Sequence, residues 1–384
     1  MKDALLAPRS DAWSFIVNRE RFEDCNVERS VAPRVEDVPV GSALIEVDRF
    51  SLTTNNIFYA LSGDEYHYWD LFPAKAGYGI VPAWGLGDVI ASRHPEIATG
   101  ERLYGLFPMA THLLVQVAEV TARSFRDAAP HRQGAAAPYS NYFRVSQNDR
   151  FTGRQGDYQT LLRPQFLTSF MAETYFADNE FFGATTAIIS SASSKTSIAL
   201  AWLLHNRHSA LRVVALTSQR NAEFVEALGY YDAIVTYDDL ASLDAGEPIL
   251  FFDVAGNWDA RAALHRHFGD NVKHSARVGM AHWDAAPNTE DLPGAQPTLF
   301  FTPVYMTRYN KAWGPAAFAE RFDLAWGGFT QALESWLHLI EGHGPDAVAK
   351  AFRETLKGGG RPEEGQILST RPSARGNAST SEVT

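Results

Sequence analysis

Apolar and polar residues alternate through VGSALIEVDRFSLT (40–53), the period of a strand with one buried face. Over residues 72–117, from FPAKAGYGIVPAWGLGDVIAS to GERLYGLFPMATHLLVQV, glycine and proline interrupt short apolar runs. That punctuation predicts short strands joined by tight turns, a barrel-like or sandwich-like β domain. GAAAPYSNYF (134–143) is loop-like and QNDRFTGRQGDY (147–158) is polar, so a domain junction is expected nearby. From about residue 160 the rhythm changes to alternating helices and strands. LLRPQFLTSFMAETYFADN (161–179) has helical spacing, and AIIS, LRVVALTS (211–218), AIVTY, ILFFDVAGN (249–257), ARVGMAH and TLFFTPVYM (298–306) read as strands. IALAWLLHN, NAEFVEALG and RAALHRHF are the helices between them. Nearly continuous apolar strands separated by helices predict a parallel, doubly wound sheet. Towards the C-terminus, PDAVAKAFRETLKGG (345–359) reads as a helix and GQILST (365–370) as a strand; the small, polar residues that follow are expected to be disordered.

Composition narrows the class. The 384 residues are enough for two domains, and 45% of them are hydrophobic. A net charge of −11 argues against a nucleic-acid or polybasic membrane role, so VKHSAR (272–277) is expected to be a solvated edge. One cysteine, Cys25, rules out an internal disulfide and a Cys-rich zinc site. No signal-peptide pattern opens the chain and no run reaches the ~20 apolar residues of a membrane span. A cytoplasmic protein acting on a small molecule is the expectation.

The chemistry centres on SSASSKTS, which follows AII and precedes a helix. A P-loop is excluded, because Ile189 and Ser194 stand where its glycines belong. Ser191, Ser194 and Ser197 instead fall at the three-residue spacing of a GxxGxxG dinucleotide turn. Serine is small, and its hydroxyl can meet a pyrophosphate beside the free amides of a helix N-terminus. Lys195, ill-placed in a helix's first turn, makes sense beside an anion. The competing reading is a helix merely capped by Ser193 or Ser194. The next strand ends ALTSQRNAEF, with no acidic residue at its tip. Thr217, Ser218 and Arg220 there suit a 2′-phosphate, hence NADPH over NADH.

With these segments in hand a resemblance becomes usable. GERLYG (100–105) resembles the GDRVYG turn, and AIISSASSKTSIALA the VLVTGASGGVGSAA run, of the medium-chain dehydrogenase/reductase superfamily. TSQRNAEFVEALGYYDAIVTYDD and FFDVAGN fall in that superfamily's order as well. The nearest branch is the zinc-independent, quinone-oxidoreductase-like one, and more narrowly a domain-of-unknown-function family related to it. The resemblance implies a GroES-like β domain over 1–160, completed by 332–372, and a Rossmann domain over 161–331, with 373–384 as a tail. It implies hydride transfer from NADPH to an activated C=C or carbonyl of an apolar enone, quinone or acyl-type substrate. It also suggests a homodimer formed through the edge of the Rossmann sheet at FFTPVYM, with a monomer left open. Zinc ligands are missing: the first position falls within Ser51–Thr54, and Cys25 lies upstream of it.

Without a Lewis acid, a developing enolate needs hydrogen-bond donors. The strand-end segment TTNNIFYALSGDEYHYW offers Tyr59 as donor, Asn56 as orienter and His67 as a proton source near neutral pH. Cofactor contacts are expected at Ser191, Ser193, Ser194, Lys195, Thr196, Ser218 and Arg220. By resemblance they extend to Thr168, Ser169, Asp253 and Gly279, the last opening GMAHW (279–283). Trp84 is expected to be core packing. A non-redox enzyme or binding protein holding another phosphorylated ligand, such as a coenzyme-A thioester, is the alternative.

Overall fold

A computed structural model of the protein describes residues 11–146, 148–278 and 291–373. They divide into two compact units, one within Met1–Leu161 and His338–Thr384, the other within Leu162–Leu337.

In chain order the first unit carries β1 (Asp11–Asn18), β2 (Cys25–Val31), β3 (Ser42–Leu52), α1 (Thr54–Leu61), β4 (Tyr78–Gly79), β5 (Pro82–Ser92), β6 (Arg102–Pro108), β7 (His112–Ala118), β8 (Ser124–Asp127) and β9 (Asn141–Arg144). Helix α2 (Gly153–Asp178) follows. β3 organises the unit. Its first half, Ser42–Glu46, pairs with β7, and β5 runs along its other edge. The ring β3-β5-β6-β9-β8-β7 thereby closes on itself. Flanked this way, β3 is buried along nearly its whole length rather than at alternate residues. Ile45, Val47 and Phe50 enter the main core with Phe15 and Phe107, while Leu44 packs on the opposite face with Val38 and Ala91.

TTNNIF, read above as a strand end, is the start of α1. Thr53 caps the helix, and Asn56 completes a capping box by accepting the Thr53 amide at 2.7 Å. That reciprocal cap outweighs the extended preference of the paired threonines.

The second unit continues α2 with β10 (Thr186–Ser190), α3 (Lys195–Arg207), β11 (Arg212–Thr217), α4 (Ala222–Ala227), β12 (Ala233–Thr236), β13 (Ile249–Asp253), α5 (Trp258–Phe268), β14 (Val272–Arg277), β15 (Thr298–Leu299), α6 (Thr302–Trp313) and α7 (Pro315–Leu333). All six strands are parallel, in the order β12-β11-β10-β13-β14-β15. Counted from β10 this is 3-2-1-4-5-6, the order of the doubly wound dinucleotide-binding sheet. Two expectations are corrected here. FFTPVYM is mostly the first turns of α6, because Pro303 sits where a helix accepts proline, and only Thr298–Leu299 pair with the sheet. VKHSAR is β14, with Val272, Ser275 and Ala276 buried and only Lys273 exposed; the Ser275 hydroxyl meets the His265 ring at 3.0 Å inside the sheet layer.

The chain then returns to the first unit with β16 (His338–His343), α8 (Gly344–Leu356) and β17 (Glu364–Ser369). β17 pairs antiparallel with the second half of β3, and Arg371 meets the buried Glu46 at 2.8 Å. Among the described residues no helix is long and apolar enough to cross a membrane.

Candidate functional site

In doubly wound sheets ligands bind beyond the carboxyl ends of the strands, where the strand order reverses. Here that point lies between β10 and β13. A cavity of about 560 Å³ opens there, lined by Ser191 and Ser193 from the turn, Thr217, Ser218 and Asn221 after β11, Tyr237 after β12, and Ala255, Asn257, Asp259, Ala260 and Ala263 from β13 and α5.

The turn shows how serine replaces glycine, one position at a time. Ser191 sits in the left-handed region, φ 49°, where a glycine is normally required. Its amide donates to the Tyr237 hydroxyl at 2.9 Å, and the Tyr231 hydroxyl donates to the Ala192 carbonyl at 2.9 Å. Two tyrosines thus hold the strained turn from outside. Ser194 keeps an ordinary extended backbone and folds its hydroxyl back as the cap of α3, accepting the Ser197 amide at 3.2 Å. Ser197 is fully buried, and its hydroxyl ties α3 to the end of β10 by donating to the Ser190 carbonyl at 2.9 Å. The Ser193 hydroxyl accepts from the Asn221 side chain at 2.9 Å. Lys195 and Thr196, both half-buried, form the first turn of α3. The positive end of that helix faces the cavity through Ser193.

The opposite wall is fastened to β10. Ser190 donates its hydroxyl to Asp253 at 2.8 Å and accepts the amides of Val254 and Ala255 at 2.9 and 3.0 Å. Asp253 also accepts the Gly256 amide and pairs with the buried Arg261 at 2.7 Å. Asp253, expected as a cofactor contact, is 2% exposed and has its oxygens occupied by protein groups. It holds the cavity's rim in shape.

The other expected residues are placed as follows. Ser218 lines the cavity, and Arg220 lies beyond the tip of β11, exposed and without a hydrogen bond or ion pair among the described residues. Ser169 is buried, donating to the Thr196 carbonyl at 2.7 Å, so it fixes α2 against α3. Thr168 shares a hydrogen bond with Thr302 at 2.9 Å. Gly279 and the rest of GMAHW lie outside the described residues. Among the described residues no cluster of His, Cys, Asp or Glu is placed to hold a metal ion.

Tyr59, Asn56 and His67 belong to the first unit. Tyr59, on α1, is buried in a ring cluster with Tyr68, its centroid 4.7 Å away, and Tyr139 at 6.3 Å. Its hydroxyl accepts the Trp84 indole N–H at 3.1 Å, and burial pushes its phenol far above the ordinary value. It therefore stays protonated, with a proton to donate to a hydrogen bond and no capacity to act as a base. Asn56 is spent on the capping box and on the Pro82 carbonyl, 2.9 Å away. His67 is on the surface at a positive φ of 60°, its Nδ1 2.9 Å from Asp70. Sequence reading missed Tyr237, Asn221, Asn257 and Asp259. Each lies just past a strand's carboxyl end, which is the one signal that marks them.

Residues 50–361 match the family described as "Protein of unknown function (DUF2855)". The chain belongs to that family. No curated protein matches this DUF2855 member. Among solved structures it is similar to CurA in complex with NADPH from Vibrio vulnificus, at 13% identity over 94% of this chain and 100% of that one, with a TM-score of 0.62. A mutant form of enoyl thioester reductase from Candida tropicalis matches at 10% identity over 94% and 99%, TM-score 0.57. The quinone oxidoreductase from Coxiella burnetii matches at 11% over 94% and 100%, TM-score 0.50. At these identities the likeness is one of fold.

Proposed function

We propose that this DUF2855 member is an NADPH-dependent, zinc-independent reductase that transfers hydride to an activated C=C or carbonyl of an apolar substrate of enone, quinone or acyl type. On this reading the units are a GroES-like and a Rossmann domain. The observation that carries it is the turn itself: Ser191 in the left-handed region and α3 opening on a switch-point cavity supply, without glycine, the backbone features a dinucleotide site needs. Named solved structures of this fold include an NADPH complex and enoyl and quinone reductases, which supports the same chemistry here.

The residues present fit the cofactor. Ser191, Ser193 and the first turn of α3, with Lys195 and Thr196, would hold the pyrophosphate. Ser218 and the exposed Arg220 would take the 2′-phosphate, since the tip of β11 carries no carboxylate to repel it. NADPH, when bound, supplies the hydride. Tyr59, kept protonated by burial and oriented by Trp84, is the proposed donor to the substrate oxygen.

The test is thermal denaturation with each nicotinamide cofactor at millimolar concentration. NADPH raises the midpoint more than NADH, by ligand linkage, and Arg220→Ala removes most of the difference. A protein indifferent to both cofactors refutes the reading. Oxidation of NADPH by a simple quinone, diminished in Tyr59→Phe, then tests the chemistry.

A further inference from the structure

The cavity has one charged residue in its lining, and its sign is wrong for a phosphate site. Asp259 is exposed, stands in the first turn of α5 and makes no ion pair or hydrogen bond among the described residues. Elsewhere the lining is hydroxyl, amide or small apolar. A carboxylate next to a pyrophosphate would repel it, so Asp259 must face an uncharged part of the ligand that offers N–H or O–H donors. Its surroundings narrow that part further. Ala260 and Ala263 sit on the same helix and line the same cavity, and with Asp259 at i, i+4 from Ala263 they form one strip of α5. Two methyl side chains beside a carboxylate make a low apolar ledge on which a flat ring can lie, with an acceptor at its edge. Asn257 caps the helix, accepting the Ala260 amide at 3.0 Å, and so keeps the ledge in place.

We propose that Asp259 selects the nucleotide base, accepting a hydrogen bond from the exocyclic amino group of adenine. This rests on the reading of the cavity as a dinucleotide site. A base bearing a carbonyl at the same position, as hypoxanthine and guanine do, turns an oxygen towards the carboxylate. The charge-assisted hydrogen bond is then lost and lone pairs oppose each other, the situation in which a polar site rejects an analogue most strongly.

The experiment is calorimetric titration of the whole chain with NADPH and with its deaminated analogue, reduced nicotinamide hypoxanthine dinucleotide phosphate. The wild-type protein binds NADPH about tenfold or more tightly than the analogue. Asp259→Ala brings the two affinities to within about twofold, chiefly by weakening NADPH. Asp259→Asn, whose amide can donate to the carbonyl, narrows or reverses the preference. Equal binding of both dinucleotides by the wild type overturns the assignment, as does a preference that survives in Asp259→Ala. If neither dinucleotide binds, the dinucleotide reading of the cavity fails first and the base assignment falls with it. Unchanged melting of the unliganded Asp259→Ala protein separates lost recognition from lost fold.

Discussion

At the residue scale the informative positions are those where side-chain chemistry and backbone demand disagree. Ser191 holds a conformation costing a non-glycine residue about 1–2 kcal/mol. Ser191→Gly removes that cost but adds backbone entropy to the unfolded chain, of about 0.5–1 kcal/mol. The expected outcome is a net stabilisation of up to about 1.5 kcal/mol in urea unfolding. His274 is the second case. Its ring stacks on Phe182 with centroids 4.0 Å apart, its Nε2 is buried without a hydrogen-bond partner among the described residues, and burial lowers its pKa from the usual 6.5 to about 4. Between those values the unfolded chain binds the proton and the folded one does not. Stability is therefore full above about pH 6.5 and falls as pH drops towards 4, by an amount on the order of 3 kcal/mol. His274→Phe, which keeps the stack and cannot titrate, should show a flatter profile in denaturant melts across that window. Little of this was visible beforehand. The serine spacing could be read from the sequence, but which serine would turn, cap or pack depends on Tyr237, Leu216 and Ser190, which reach the turn from other strands or from the end of its own.

At the element scale, regular apolar periods were readable and mixed ones were not. The alternation of β10 to β14 with α3 to α5 follows directly from apolar runs of strand length between amphipathic stretches. The misread segments share a cause: aromatic and β-branched residues favour strands, while a cap or a first-turn proline decides for helix. In α1 that decision rests on one side chain. Asn56 accepts the Thr53 amide and donates to the Pro82 carbonyl while only 4% exposed. Asn56→Ala should cost about 1–3 kcal/mol. Asn56→Asp, which keeps the acceptor but sets a carboxylate against the Pro82 carbonyl, should cost more at neutral pH than near pH 4. Paired chemical-denaturation curves check both. The proposed donor Tyr59 lies on the same helix, so loss of this cap would also misplace its hydroxyl. Asn56 thus has a structural role where a polar orienter was expected, and His67 pairs with Asp70 at the surface.

At the scale of the whole molecule, the first unit is assembled from distant parts of the chain and the second from one continuous stretch. β17 supplies one neighbour of β3 over Arg49–Leu52, and Arg371 just after it pairs with the buried Glu46. Removing residues from His338 onward strips that edge and takes the Arg371 guanidinium away from the buried Glu46 carboxylate. Such a truncation should yield an aggregating first unit, whereas one made after Ser373 should melt like the intact chain; solubility and thermal melts of the two compare directly. The sequence suggested this return of the chain only through family resemblance, since nothing local in GQILST names β3 as its partner. The same connection sets a timetable for synthesis. The ribosome finishes the second unit, Leu162–Leu337, while β3 still lacks β17, so the unit begun first is completed last. Until Glu364–Ser369 clears the exit tunnel, the nascent protein carries an open strand edge, and that interval is when a chaperone matters most to it.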